Sequence, residues 1–277
     1  MPVRARKLIR KLRGGSQADL VEGEDGSFYV VKLTNNPEHR RTLINEWLAG
    51  SLLRHLRIFV PEIRLIELTS EFIAENPEVG GSMGAKQESA FPGIHFGSRL
   101  TVHPEHVAIF DFLPKKSLSR VENRIEFLGA LVFDRWSGKT DSRQAVFFRK
   151  GGLGVKSIPG NQSAQSGMLA QMIDHGSAFG GSHWEFDDAH PNCLYFQFSV
   201  YRDVKSLESF APWLSMVEDF SPEVIYTAWK EMPREWLESD ESELESMLAC
   251  LTNRRSKILD LLSAMRDAHP HAFPNWR

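Results

Sequence analysis

The chain is 277 residues long, enough for one large domain or two intimate lobes around a sizeable core. With 42% hydrophobic and 25% charged residues it has the composition of a globular fold, which excludes a disordered or fibrous design. A formal charge of -3 provides no whole-chain basic field for nucleic acid, and no apolar run approaches the roughly 18 residues of a membrane-spanning helix.

The first thirteen residues are locally basic, through Arg4, Arg6, Lys7, Arg10, Lys11 and Arg13, but Leu8, Ile9 and Leu12 interrupt the run. An edge strand with solvated cations fits that alternation, so no nucleic-acid partner is expected. The N-terminus lacks the apolar centre of a secretion signal, so a cytoplasmic location is expected. Cys193 and Cys250 stand far apart without a CxxC or Cys/His pairing; neither a disulfide framework nor a structural zinc is indicated, and both read as small core residues.

Leu8 to Leu12 lead into Gly14-Gly15-Ser16. Ala18 to Glu22 and Phe28 to Leu33 follow as extended runs joined by a Glu24-Asp25-Gly26 hairpin turn. Asn35-Asn36-Pro37 ends the second run and opens a helix, in which Leu43, Ile44, Trp47, Leu48, Ser51 and Leu52 recur at helical spacing. Residues 59–73 suggest a further strand pair, and 74–92 have the Gly, Ser, Glu and Pro content of an exposed loop. Within that loop, Gly80 to Lys86 superficially resembles a phosphate loop, but its spacing fails: no Lys directly follows the second glycine of the required pattern. Beyond Val107 to Leu113 and Pro114 the character turns helical. Val121 to Trp136, a helix opened by Ser221-Pro222, and the apolar stripe from Leu244 to Met265 are the clearest signals. Trp184, Trp213, Trp229 and Trp236 in this half read as core aromatics.

The β-rich start and α-rich end predict an α+β protein of two lobes, with 1–107 as the first lobe, 108–114 as the hinge and 115–277 as the second. A ligand belongs in the crease between them.

Four stretches carry candidate chemistry. Gly14, Gly15, Ser16 and Gln17 form either a loop whose bare backbone N–H groups approach a phosphate or a tight hairpin turn. Lys32 lies in an apolar β-branched run, on one face with Phe28 and Val30, and a cation so placed demands an anionic partner. Glu46, on the following helix beside the stripe Leu43, Gly50 and Leu53, is a candidate partner or else a surface carboxylate. Asp141, in Gly138-Lys139-Thr140-Asp141-Ser142-Arg143-Gln144, precedes the apolar strand Ala145 to Phe148, and Asp174 ends the apolar run before His175-Gly176. Two carboxylates at strand mouths suit a metal and a nucleophile, or two Asx turns. Asp134, inside the helix and followed by Arg135, reads as a solvated or structurally paired carboxylate.

In their order, a Gly-Ser-Gln loop, a strand Lys, a helix Glu, a Gly-x-x-Asp loop and an Ile-Asp-x-Gly motif, residues 10–180 resemble the HipA-like branch of the protein-kinase-like superfamily. The resemblance implies a two-lobed kinase-like fold that binds ATP and Mg²⁺ and transfers the γ-phosphoryl group to a hydroxyl of a protein, small-molecule or lipid acceptor. It implies that Gly14 to Gln17 cover the phosphates, that Lys32 contacts them and pairs with Glu46, that Asp141 is the catalytic base and that Asp174 holds the metal. Residues 108–113 would lie near the hinge, where the backbone meets adenine. The chain departs from the family pattern at Lys139, where an Asn is common, and at Val146, where the later Asn is expected; Gln144 is the nearest amide and the candidate second metal ligand. His175 replaces the Phe of Asp-Phe-Gly and reads as a packed, hydrogen-bonded histidine. The missing Asn motivates a pseudokinase alternative, and adenylyl transfer is another.

Overall fold

A computed structural model describes residues 1–12, 17–83, 86–153, 167–189 and 191–277. The N-terminal lobe is a five-stranded barrel of β1 (Val3–Lys11), β2 (Asp19–Gly23), β3 (Phe28–Lys32), β7 (Gly93–Arg99) and β4 (Glu62–Leu68), in the order β1-β2-β3-β7-β4. β1 returns to β4 in parallel through Val3↔Ile66 and Arg4↔Glu67, and the other contacts are antiparallel. The β2–β3 turn forms because Gly26 takes φ 74° while Asp25 accepts the Ser27 N–H at 3.0 Å and the Tyr29 hydroxyl at 2.7 Å. The barrel has its own small core, built from residues such as Val21, Tyr29, Val31, Ile66 and Phe72.

Several sequence expectations change here. Residues 59–73 make one strand, β4, and a short helix α2 (Ser70–Glu75), because the Thr69 hydroxyl caps the helix by accepting the Phe72 N–H at 3.2 Å. The stretch 74–92 holds a hairpin, β5 (Gly80–Met83) with β6 (Lys86–Ser89); backbone groups pair there despite the polar composition. β7 left no readable period, since Gly93 and Gly97 interrupt its side-chain pattern, yet it is the central strand joining β3 to β4.

Helix α1 (Arg41–His55) begins four residues after Pro37 and buries 11 of its 15 residues, which is why its apolar stripe is hard to separate from its other faces. Its side chains join the larger core, shared with the C-terminal lobe. That lobe contains α3 (Lys115–Leu118), the buried α4 (Glu126–Trp136), the hairpin β8 (Gln144–Arg149) with β9 (Met168–Ile173), and helices α5 (Ala211–Glu218), α6 (Pro222–Lys230), α7 (Glu241–Asn253) and α8 (Ile258–Ala268). Ser221 caps α6 and Pro222 occupies its first turn. The stripe from Leu244 to Met265 is two helices, α7 and α8, because Arg254 is buried between them and donates to the carbonyls of Trp136 at 2.8 Å and Arg135 at 3.0 Å. Cys193 is buried, but Cys250 lies on the exposed side of α7, so only the first is a core residue. Among the described residues no helix is long and apolar enough to cross a membrane.

The chain leaves the barrel at Arg99 and reaches the C-terminal hairpin at Phe110, whose backbone pairs with Phe147. The crease between the lobes is thus floored by β8–β9 and roofed by β3, with α1 beside it.

Candidate active site

Lys32 ends β3 pointing into the crease and is buried. Desolvation of an ammonium is costly without anionic partners, and two are present: Nζ donates to Glu46 Oε1 at 2.5 Å and to Asp174 Oδ1 at 2.9 Å. Burial alone would weaken its proton, but the Glu46 and Asp174 charges dominate and hold Lys32 above the ordinary lysine range. Glu46 also accepts the Gly176 N–H at 3.1 Å, which ties α1 to the loop after β9.

Asp174 stands at the mouth of β9 with φ 59°, a left-handed conformation unusual for a residue with a Cβ. Its second oxygen accepts from Gln144 Nε2 at 2.7 Å, and its side chain remains 36% exposed. Burial raises the Asp174 carboxyl, yet Lys32, by charge and hydrogen bond, holds it below the usual carboxylate range, with Lys139 and Arg143 adding to the effect. Gln144, as placed, turns its nitrogen toward Asp174.

Asp141 lies in the loop between α4 and β8, exposed, with Oδ1 accepting the Ser142 N–H at 2.6 Å. Its charge acts on both Lys139 and Glu38. The loop reverses at Gly138, where φ is 60° and a Cβ would meet the Phe186 ring at 2.6 Å. Backbone bonds lay this loop beside the segment after β9: Phe179 N–H to Ser137 O at 2.7 Å, Gly180 N–H to Gly138 O at 3.1 Å and Thr140 N–H to Ser177 O at 3.1 Å.

Gly14, Gly15 and Ser16 lie outside the described residues; Gln17 follows them with φ 45°.

Behind these groups is a sealed network. Asp134 and Arg143 are fully buried and pair through both carboxylate oxygens, Arg143 Nε reaching Oδ2 at 2.9 Å and Nη2 reaching Oδ1. Arg143 Nη1 donates to His175 Nδ1 at 2.9 Å and to the Ile173 carbonyl at 3.2 Å. Burial, then Arg143 and Lys139, push His175 well below the ordinary histidine range; it is the neutral tautomer protonated at Nε2. Asp134 is thereby a structural pair and His175 a packed histidine.

Asn45 carries a role the sequence did not disclose, and Glu38 lies within the field of the site's charges. Burial raises the Glu38 carboxyl against the pull of Lys32, and the charges of Asp174 and Asp141 raise it further. Asn45 donates to the carbonyls of Gly176 at 2.8 Å, Ala178 at 3.0 Å and Gly181 at 3.1 Å, and accepts from Trp184 Nε1 at 2.8 Å. A polar Asn between Ile44 and Glu46 on a helix otherwise built for burial was the available signal for that loop anchor.

A family model described as HipA-like kinase matches residues 6–266. The chain belongs to the HipA-like kinase family. Among curated proteins no sequence matches. A solved structure of the Golgi casein kinase is similar to this HipA-like chain at 13% identity and a TM-score of 0.52, covering 96% of this chain and 72% of that one. A second, of the Golgi casein kinase with Mn/ADP bound, gives 14% identity and a TM-score of 0.46, covering 94% and 71%. The likeness to the first shows the protein-kinase-like fold, strand-rich at the N-terminus and helical at the C-terminus.

Proposed function

We propose that this HipA-like protein is an ATP-dependent phosphotransferase that moves the γ-phosphoryl group to a hydroxyl acceptor. The observation that carries the reading is the convergence on one crease of Lys32, held between Glu46 and Asp174, with the Asp141 loop alongside. Family membership supports it.

The donor set suits Mg²⁺. Among the described residues no group of three or more His, Cys, Asp or Glu could hold a metal ion; Asp174 offers one carboxylate at the crease, and Gln144, whose nitrogen engages it, would join only by turning its oxygen there. A protein that offers so few ligands fits a cation that keeps its waters and leans on substrate phosphates. Mg²⁺ held there would neutralise charge on the transferring phosphoryl group.

Lys32 supplies a fixed positive charge for the nucleotide phosphates, and Glu46 keeps that ammonium in place when Asp174 turns to other partners. Asp141 accepts the proton of the acceptor hydroxyl or orients it for in-line attack. By the family's pattern the stretch Gly14 to Gln17, of which only Gln17 is described, would cover the phosphates, and the backbone of 108–113 would meet the adenine. The acceptor is a protein, small-molecule or lipid hydroxyl that reaches Asp141. A groove of about 570 Å³ lined by His183, Trp184, Phe186, Glu243 and Met247 borders the segment that packs on Thr140.

Val146, in β8 where the family pattern has an Asn, favours a second reading, a pseudokinase that binds nucleotide or a protein partner without transfer. ATP labelled separately at the α and γ phosphates decides, with and without Mg²⁺. Label transferred from γ alone is expected; label from α would replace the reading by adenylyl transfer, and nucleotide binding with neither label transferred would favour the pseudokinase.

A further inference from the structure

Asp174 is held in a left-handed backbone conformation, which a residue with a Cβ keeps only where its surroundings over-determine it. Its carboxylate has Lys32 and Gln144. Its carbonyl has a different partner, Lys139, whose Nζ donates to Asp174 O at 3.0 Å and to the Ser177 hydroxyl. Lys139 is only 2% exposed and forms no direct ion pair among the described residues. Burying an ammonium on two neutral oxygens is an expensive arrangement, and Met would fill the same space without that cost. The cation is therefore expected to act at the two atoms it touches. Its own backbone is fixed, with Lys139 N–H on Asp134 O at 2.9 Å, inside the loop that lies beside 177–180.

We propose that Lys139 is a positioning residue whose ammonium, bonded to the Asp174 carbonyl and the Ser177 hydroxyl, holds Asp174 in its left-handed conformation and so sets the affinity for the divalent cation. The inference rests on the phosphotransferase reading for the cation. It does not rest on that reading for the conformation, so the two parts fail separately. Lys139 acts through the direction of the Asp174 carboxylate.

The test uses the full chain and its Lys139→Met variant, with ADP affinity measured by calorimetry in Mg²⁺ and in chelator, and amide exchange followed across residues 174–178. A hydrogen bond to a charged donor is typically strong enough that its loss should cut the Mg²⁺ enhancement of ADP affinity about 10- to 100-fold. Affinity in chelator should stay within about 2-fold, and the Gly176 amide, bonded to Glu46, should exchange at least about 10-fold faster. A general loss of structure would instead lower both affinities together, and that outcome overturns the proposal, as does a folded variant with unchanged enhancement and exchange. If Lys139→Met does not fold, Lys139→Gln, which keeps a neutral donor, is measured in the same way, and a wild-type enhancement there overturns it. Should the wild-type chain bind no ADP, the nucleotide reading fails, and the exchange arm alone decides whether Lys139 holds Asp174.

Discussion

Two three-membered ionic groups lie back to back in this protein, and they differ in what they leave open. In Lys32–Glu46–Asp174, one cation serves two carboxylates and the outer carboxylate is 36% exposed. In Asp134–Arg143–His175, every member is buried and the carboxylate is spent on a two-pronged contact with arginine. The first has surplus negative charge at a solvent-facing edge and can take a cation or yield Lys32 to a phosphate. The second is sealed from solvent, and Nε2 of its His175 is buried without a hydrogen-bond partner among the described residues. Similar side chains thus become site or scaffold according to exposure and charge balance, and the strands β8 and β9 separate the two roles by a single residue step from Arg143 to Gln144 and from Asp174 to His175.

The largest effect that would sharpen this contrast is expected from Asp141→Asn, on the open side. Turnover should fall about 10²- to 10⁴-fold, the contribution of a general base, while the melting temperature of so exposed a position moves by no more than about 2 °C. A variant that keeps its turnover would remove Asp141 from the mechanism.

Arg143→Met should do the reverse. It strands Asp134 in the interior, and breaking a buried pair in this way costs about 3–5 kcal/mol, read from denaturant unfolding. A loss below about 1 kcal/mol would break the comparison, because it would mean that the sealed network is not scaffold.

Acid should act on the buried histidines, one inside the sealed network and one in the barrel. His95, buried with Nδ1 accepting the Thr34 N–H at 3.0 Å, is pushed down to about 4 by desolvation, and His175 is displaced the same way. In the unfolded chain both titrate near 6.5. Between pH 6.5 and about 4 the unfolded state therefore binds more protons, so stability falls as pH falls, by about 3 kcal/mol for His95 at most. His95→Gln should flatten unfolding free energy against pH in that window; an unchanged slope would show that His95 is protonated without loss of the fold.

The smallest effect is assigned to Glu38→Gln. Removing a carboxylate that adds to the negative field of Asp174 and Asp141 should raise the Mg²⁺ needed for half-maximal activity about 2- to 5-fold, less at high salt. No change at low salt would place Glu38 outside the site's field.

How much of this was legible in the sequence depended on range. The β2–β3 turn was readable because Asp25 and Gly26 settle it locally, and the order of Lys32, Glu46, Asp141 and Asp174 carried the family. β7 was not readable, since its pattern is interrupted by glycines and it is stabilised by neighbours on both sides. The partners of Asp134 and His175 were out of reach for another reason: Arg143 meets them only after α4, β8 and β9 have packed. Arg254 likewise divides α7 from α8 by contacts with residues more than a hundred positions away. Local chemistry announces itself; a buried charge reveals only that it has a partner somewhere.

Helix α1 has a mechanical consequence. It carries Glu46, yet its apolar residues belong to the core of the C-terminal lobe and not to that of the barrel. Asn45 pins it to three carbonyls of the loop after β9, Trp47 Nε1 reaches Ala228 O at 2.9 Å, and Arg41 grips Asp240 through two 2.8 Å contacts while stacking 4.2 Å from the Trp184 ring. Phe96 of β7 lies in that same core, with Ile63 and Leu65 of β4 packed against it, so α1 joins the barrel to the C-terminal lobe, and the Lys32–Glu46 contact adds a polar tie between β3 and the helix. The helix thus works as a rivet: the carboxylate that holds Lys32 is fixed by a segment anchored on both sides of the crease, so the distance between the ammonium and the loop after β9 is set by packing far from either group.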